Sequence, residues 1–125
     1  MRVFKGKHFS RWATAEAIDD ADLCQAAGEA FAGHFDADLG GYLFKKRIAR
    51  QGGGKSGGYR TILGFRKSDS KRIFFLYGFP QNARANITSH ERSALSANAL
   101  ALVDADDRQM LALKVKGTIL ELECN

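Results

Sequence analysis

The chain has 125 residues, of which 45% are apolar and only one, Pro80, is a proline. This length and composition predict one globular domain, residues 1–125, and exclude a disordered or linker-like chain. The net charge of +5 is distributed unevenly, because residues 43–92 hold twelve Lys and Arg against two acidic residues while the remainder holds seven against twelve. No apolar run is long enough to cross a bilayer, so we expect no membrane contact.

Two helices are predicted at the start of the chain. Apolar residues recur at helical spacing from Phe9 to Ala17, and Asp19 or Asp20 is suited to cap a second helix. The residues predicted to face inward from that helix are Leu23, Ala27, Ala30 and Phe31. Gly40 and Gly41 then end the helical structure.

Three strands are predicted next, over residues 43–50, 58–66 and 72–79. The third contains Ile-Phe-Phe-Leu-Tyr, which is apolar at both alternating sets of positions and indicates a central strand covered on both faces. The short turn over residues 67–71 makes the second and third strands antiparallel neighbours, so a meander is the simplest arrangement.

The last third of the chain predicts two helices and a strand. Residues 88–91 fit a capping box, followed by a helix whose predicted buried stripe is Leu95, Ala99, Leu102 and Val103. Residues 106–109 repeat the capping pattern, Gly117 is suited to end the second helix, and residues 118–123 alternate as an edge strand. The fold class is therefore predicted as α+β.

The two cysteines and the first residues bear on the compartment. Cys24 and Cys124 are far apart in sequence and form no metal-ligand pattern, so they are predicted to be unpaired thiols in a reducing compartment. Residues 1–7 lack the apolar stretch of a secretory signal. We therefore expect a cytoplasmic protein. His8, His34 and His90 match no nuclease pair, and we predict no metal and no cofactor.

Residues 51–58, QGGGKSGG, invite comparison with a nucleotide-binding P-loop. The P-loop pattern requires glycine where Ala49 stands, and the segment after the loop is strand-like rather than helical, so nucleotide hydrolysis is excluded. A mobile hairpin tip that presents Lys55 is predicted instead.

Cations line both predicted strands of this hairpin. Alternation places Lys46 with Arg50 on one face, Lys45 with Arg47 on the other, and Arg60 with Arg66 on one face of the next strand. Neighbouring cations repel unless an anion neutralises them, which favours a nucleic-acid phosphate backbone as the ligand. A solvated, lysine-rich surface is the alternative that composition leaves open.

Several segments resemble the RelE/HigB superfamily of bacterial toxins, and in particular the RelE-like branch with a GKSGGYR segment. They are FKKRIAR (44–50), GKSGGYRT (54–61) and FLYGF (75–79), together with Arg84, Asn86, Ile87 and residues 36–41. The resemblance implies a RelE-like fold, with an antiparallel sheet of three to five strands and with two N-terminal helices and C-terminal helices packed against it. It also implies a type II toxin that cuts messenger RNA, commonly on translating ribosomes, and that a cognate antitoxin silences.

The resemblance also suggests site residues. It assigns Arg60 to the scissile phosphate and Arg84 to a phosphate contact or catalytic base, while Lys46 and Lys55 are candidate proton-transfer groups because nearby cations disfavour a charged lysine. The predicted RNA-binding residues are Lys45, Arg47, Arg50, Tyr59 and Arg66. Of these, Tyr59 is a candidate for stacking on a base.

One departure from the family pattern leaves the general acid and base unassigned. Ile87 and Thr88 stand where a tyrosine is expected a few residues after Arg84. The leading prediction is a monomeric, metal-independent endoribonuclease toxin. A ParE-like inhibitor of DNA gyrase and a non-catalytic RNA-binding module are the alternatives.

Overall fold

The computed structural model describes residues 1–50, 57–68 and 71–124, which form four helices and six strands and confirm the α+β class. In chain order these elements are β1 (Arg2–Gly6), α1 (Lys7–Ala15), α2 (Asp20–Phe31), β2 (Ala37–Gly40), β3 (Leu43–Ile48), β4 (Tyr59–Gly64), β5 (Arg72–Pro80), α3 (Ser89–Val103), α4 (Asp107–Val115) and β6 (Ile119–Leu122).

All six strands join one sheet in the order β2-β3-β4-β5-β1-β6. The predicted meander is confirmed, since β3, β4 and β5 are successive antiparallel neighbours. The predicted antiparallel sheet of three to five strands is corrected in two ways: the sheet has six strands, and β1 pairs with β5 in parallel. Both unpredicted strands, β1 and β2, are short, and β1 finds its partner about 70 residues further along the chain.

The sheet is covered on both faces. Helices α1 and α2 pack on one, the α1/α2 face, through a cluster that includes Phe9, Leu23, Phe44, Leu63 and Phe75. Helices α3 and α4 pack on the other, the α3/α4 face, through a cluster that includes Phe4, Ile62, Phe74, Ala99 and Met110. Strand β5 contributes to both clusters, which confirms its prediction as a central strand covered on both faces.

Local signals at the helix ends behave as the sequence predicts. The side chain of Asp19 accepts a hydrogen bond from the Asp22 N–H, and capping boxes begin α3 at Thr88 and α4 at Asp106. Gly117 adopts a φ of +76° after α4, where a left-handed residue ends a helix. The predicted inward position of Phe31 is wrong, because this last residue of α2 is 49% exposed.

A β-bulge in β5 changes which face its last residues occupy. Ile62 pairs with Tyr77 and Leu63 pairs with Phe75, so Leu76 is the extra residue between them. Leu76 and Tyr77 therefore both join the cluster on the α3/α4 face. Beyond the bulge, Gly78 returns to the α1/α2 face, where a side-chain carbon would come within 2.2 Å of the Trp12 ring.

The prediction of two unpaired thiols is wrong. Cys24 on α2 and Cys124 after β6 form a disulfide with their Cα atoms 5.6 Å apart. Pairing of β6 with β1 carries the end of the chain back beside α2, a proximity that only the tertiary fold creates. Among the described residues, no helix combines the length and apolar character needed to cross a membrane.

Candidate functional site

Two cross-strand rows of side chains bring the predicted cations together at one end of the α3/α4 face. Lys45 pairs with Ile62, which pairs with Tyr77, and in the next row Arg47 pairs with Arg60, which pairs with Phe79. Directly paired residues of antiparallel strands project to the same face. We call the set formed by Lys45, Arg47, Arg60 and Arg84, with the rings of Tyr77 and Phe79, the basic site.

Arg60 is the central cation of this set and is partly buried. Within residues 1–50, 57–68 and 71–124, it forms no ion pair with a carboxylate, and its Nε atom is buried without a hydrogen-bond partner. It also lies directly opposite Arg47, where like charges destabilise a strand pair. An unpaired donor and an uncompensated charge at the same place favour an anion as the missing partner.

Arg84 completes the basic site from the segment after β5. Its guanidinium donates to both carboxylate oxygens of Glu91 at 2.8 Å and to the hydroxyl of Tyr77 at 2.6 Å. Its Cζ lies 4.9 Å from the centre of the Phe79 ring, which is the cross-strand partner of Arg60. Phe79 therefore joins the two arginines within one site.

The Glu91 contact holds the Arg84 guanidinium in place. Hydrogen bonding to Glu91 raises the pKa of Arg84, and the same bond, with help from the Thr88 backbone, lowers the pKa of Glu91 to about 2. Glu91 is also the third residue of the α3 capping box, so the start of that helix holds Arg84 in place. A cation with a raised pKa is a poor proton acceptor, so the geometry supports the predicted phosphate contact of Arg84 rather than a role as base.

Lys46 lies on the opposite side of the sheet from Arg60. Its Nζ contacts Glu29 at 3.0 Å and donates to the backbone carbonyl of His34 at 2.8 Å, and only 12% of its side chain is exposed. This contact lowers the pKa of Glu29. The structure therefore does not bring Lys46 together with Arg60, and its catalytic role stays a prediction without geometric support.

Tyr59 and Gly58 belong to the core rather than to a surface. Tyr59 is 5% exposed, its ring meets Trp12 edge-on at 5.6 Å, and its hydroxyl donates to the Glu16 carbonyl at 3.3 Å. This burial argues against the predicted stacking on a base. A side-chain carbon at Gly58 would lie 3.1 Å from the Ile48 carbonyl oxygen, which gives this glycine of the GKSGGYR segment a packing role.

The remaining predicted residues are not members of the basic site, although Arg50 lines the same groove as Arg47. Arg66 pairs with Asp104 and lies over the ring of Tyr42, beyond the far end of β4. Arg50 is exposed and lines a groove of about 430 Å³ between α2 and the end of β3. Lys55 lies outside the described residues. In the described ranges, no group of three His, Cys, Asp or Glu side chains is placed to hold a metal.

Sequence reasoning missed Tyr77 and Phe79, whose rings belong to the basic site, and Glu91, which holds Arg84 in place. Tyr77 and Phe79 lie in the run that predicts a central strand covered on both faces, and the bulge at Leu76 leaves no signal in such an apolar run. Glu91 was recognised only as a helix cap. Its spacing of seven residues from Arg84 was the available signal, since a capping carboxylate is a ready partner for a nearby arginine.

Comparison with known proteins agrees with this architecture. The family model described as the RelE toxin of the RelE/RelB toxin-antitoxin system matches residues 1–122 of the chain. No curated protein matches the chain. Because the family match covers nearly the whole sequence, the protein belongs to the RelE toxin family and is the toxin of a toxin-antitoxin system, with an antitoxin as its partner.

Proposed function

We propose that this toxin inhibits translation by cutting messenger RNA on the ribosome, at a phosphodiester bound in the basic site. The observation that carries the proposal is Arg60, a partly buried cation that lies opposite Arg47 and forms no ion pair with any described carboxylate. Among the other arginines of the described ranges, Arg2, Arg66, Arg72 and Arg84 each meet an acidic side chain. A phosphate supplies the charge that Arg60 lacks.

RNA suits this site because its own 2′-hydroxyl can act as the nucleophile. The 2′-hydroxyl loses its proton to water as its oxygen forms a bond to the adjacent phosphorus, and the bond from phosphorus to the 5′-oxygen breaks. That oxygen takes up a proton, so the products are a 2′,3′-cyclic phosphate and a 5′-hydroxyl. The negative charge on phosphorus-bound oxygens grows in the transition state. Arg60 and Arg84 are placed to stabilise that charge, and Lys45 and Arg47 are placed to hold the flanking backbone.

Growth and RNA ends in cells test the proposal together. Cells that express the wild-type toxin without antitoxin should stop growing and accumulate new RNA ends within coding sequences. Arg60→Ala should restore growth and remove those ends. Arg108→Ala is the matched control, because it removes an exposed arginine from α4 on a part of the fold remote from the basic site.

Each alternative outcome has a distinct meaning. Growth arrest with DNA damage and no new RNA ends would replace the proposal with gyrase inhibition. A folded Arg60→Ala protein that still arrests growth and cuts RNA would refute the role of the basic site. When the purified toxin acts on a messenger RNA bound to ribosomes, a 2′-deoxy substitution at the cut linkage should abolish cleavage, because it removes the nucleophile.

A further inference from the structure

The hydroxyl of Tyr77 is arranged to give a proton away. It accepts a hydrogen bond from Arg84 at 2.6 Å, and among the residues that the structure describes its own hydrogen has no acceptor. The residue is partly exposed. A phenol that accepts from a cation and keeps its O–H uncommitted is a proton donor rather than a proton acceptor.

The bulge in β5 places this hydroxyl at the basic site. If β5 alternated regularly through Phe75 and Leu76, Tyr77 would point to the α1/α2 face, away from Arg60. The centre of its ring lies 6.0 Å from that of Phe79, the cross-strand partner of Arg60. Arg84 lies over both rings, so one cation contacts the phenol and borders the proposed phosphate position.

We infer that Tyr77 is the general acid of the cleavage reaction, an inference that rests on the proposed function. As the bond from phosphorus to the 5′-oxygen breaks, its electron pair moves to the oxygen, and the Tyr77 hydroxyl donates its proton there. The product is a 5′-hydroxyl, and the phenolate left behind is stabilised by the Arg84 cation until water returns the proton. Tyr77 is thus the general acid that the sequence analysis left unassigned.

Tyr77→Phe tests this role with little change in packing, because the ring stays and only the hydroxyl is lost. Tyr42→Phe is the matched control. Tyr42 also lies under an arginine, with Arg66 Cζ 5.4 Å from its ring centre, the same distance as Arg84 Cζ from the Tyr77 ring. The probe is a short messenger RNA bound to ribosomes, with either oxygen or sulfur at the 5′ position of the cut linkage. Sulfur leaves as a thiolate and needs no proton.

For the oxygen linkage, Tyr77→Phe should lower the single-turnover rate about 100-fold or more while leaving RNA affinity within about threefold of wild type. For the sulfur linkage, Tyr77→Phe and wild type should cut at similar rates. Tyr42→Phe should match wild type on both substrates.

Three results would overturn the assignment. Equal cleavage of the oxygen linkage by wild type and Tyr77→Phe would show that the hydroxyl gives no proton. A variant that is slow on both linkages, or that loses RNA binding, would show that the hydroxyl only positions Arg84 or the fold. A wild-type protein that cuts neither substrate would instead refute the proposed function, and the inference with it.

Discussion

Replacing Arg60 with methionine removes a charge that no carboxylate in the described part of the chain neutralises, while keeping an unbranched side chain. In the folded protein, Arg60 lies directly opposite Arg47, and its buried Nε has no hydrogen-bond partner among the described residues. Both features oppose folding. We therefore expect Arg60→Met to abolish RNA cleavage and at the same time to raise the stability of the protein.

The expected gain follows from two contributions. Relief of repulsion between directly paired like charges contributes about 0.2–1 kcal/mol. Removal of an unsatisfied buried donor contributes about 1–3 kcal/mol, and the lower part of that range applies because Arg60 is only partly buried. The free energy of unfolding should therefore rise by about 1–2 kcal/mol. For a chain of 125 residues, each kcal/mol raises Tm by about 4 °C, so an increase of about 4–8 °C is expected.

Urea unfolding and calorimetry at low ionic strength measure this gain. Added salt should narrow the difference, because it screens the repulsion that remains in the wild-type protein. Arg66→Met is the matched control, since Arg66 already pairs with Asp104 and its replacement should bring no gain. An Arg60→Met protein that is less stable than wild type, or a control that gains equally, would refute an uncompensated charge at Arg60.

Three further predictions concern the disulfide, the packing of Gly78 and the ion pair between Glu91 and Arg84. Cys24→Ser should lower the free energy of unfolding by as much as about 4.7 kcal/mol in urea titrations without reductant, because the bond to Cys124 closes a loop of about 100 residues. Full reduction of the wild-type protein should remove the difference in stability between it and the variant. Gly78→Ala should cost about 1–3 kcal/mol and shift tryptophan fluorescence, because its Cβ would meet the Trp12 ring; unchanged emission and stability would contradict this packing. Glu91→Gln should destabilise the protein at neutral pH. Since the folded-state pKa of Glu91 is about 2 against an ordinary 4.5, the difference in Tm from wild type should shrink as pH falls from about 4.5 towards 2. A difference in Tm that persists at pH 2 would contradict the ion pair with Arg84.

The sequence alone determined those features whose causes are local. Thr88 and Asp106 are predicted as helix caps, and Asp19 as one of two candidates, because a cap needs only a side-chain acceptor within three residues of the N–H that it binds. The antiparallel pairing of β4 with β5 followed from the short turn between them. The separation of Lys45 and Lys46 onto opposite faces followed from strand alternation.

Only the tertiary structure decided which of these cations meet. Register sets Arg60 opposite Arg47 rather than beside Lys46, and the bulge at Leu76 turns Tyr77 towards Arg84. The same holds for the parallel β1 and for the disulfide of Cys124, whose partners are about 70 and 100 residues away. Pairings at such separations depend on how the whole sheet packs between its two hydrophobic clusters. The free energy of that packing comes from many residues, so no short segment of the sequence predicts the pairing.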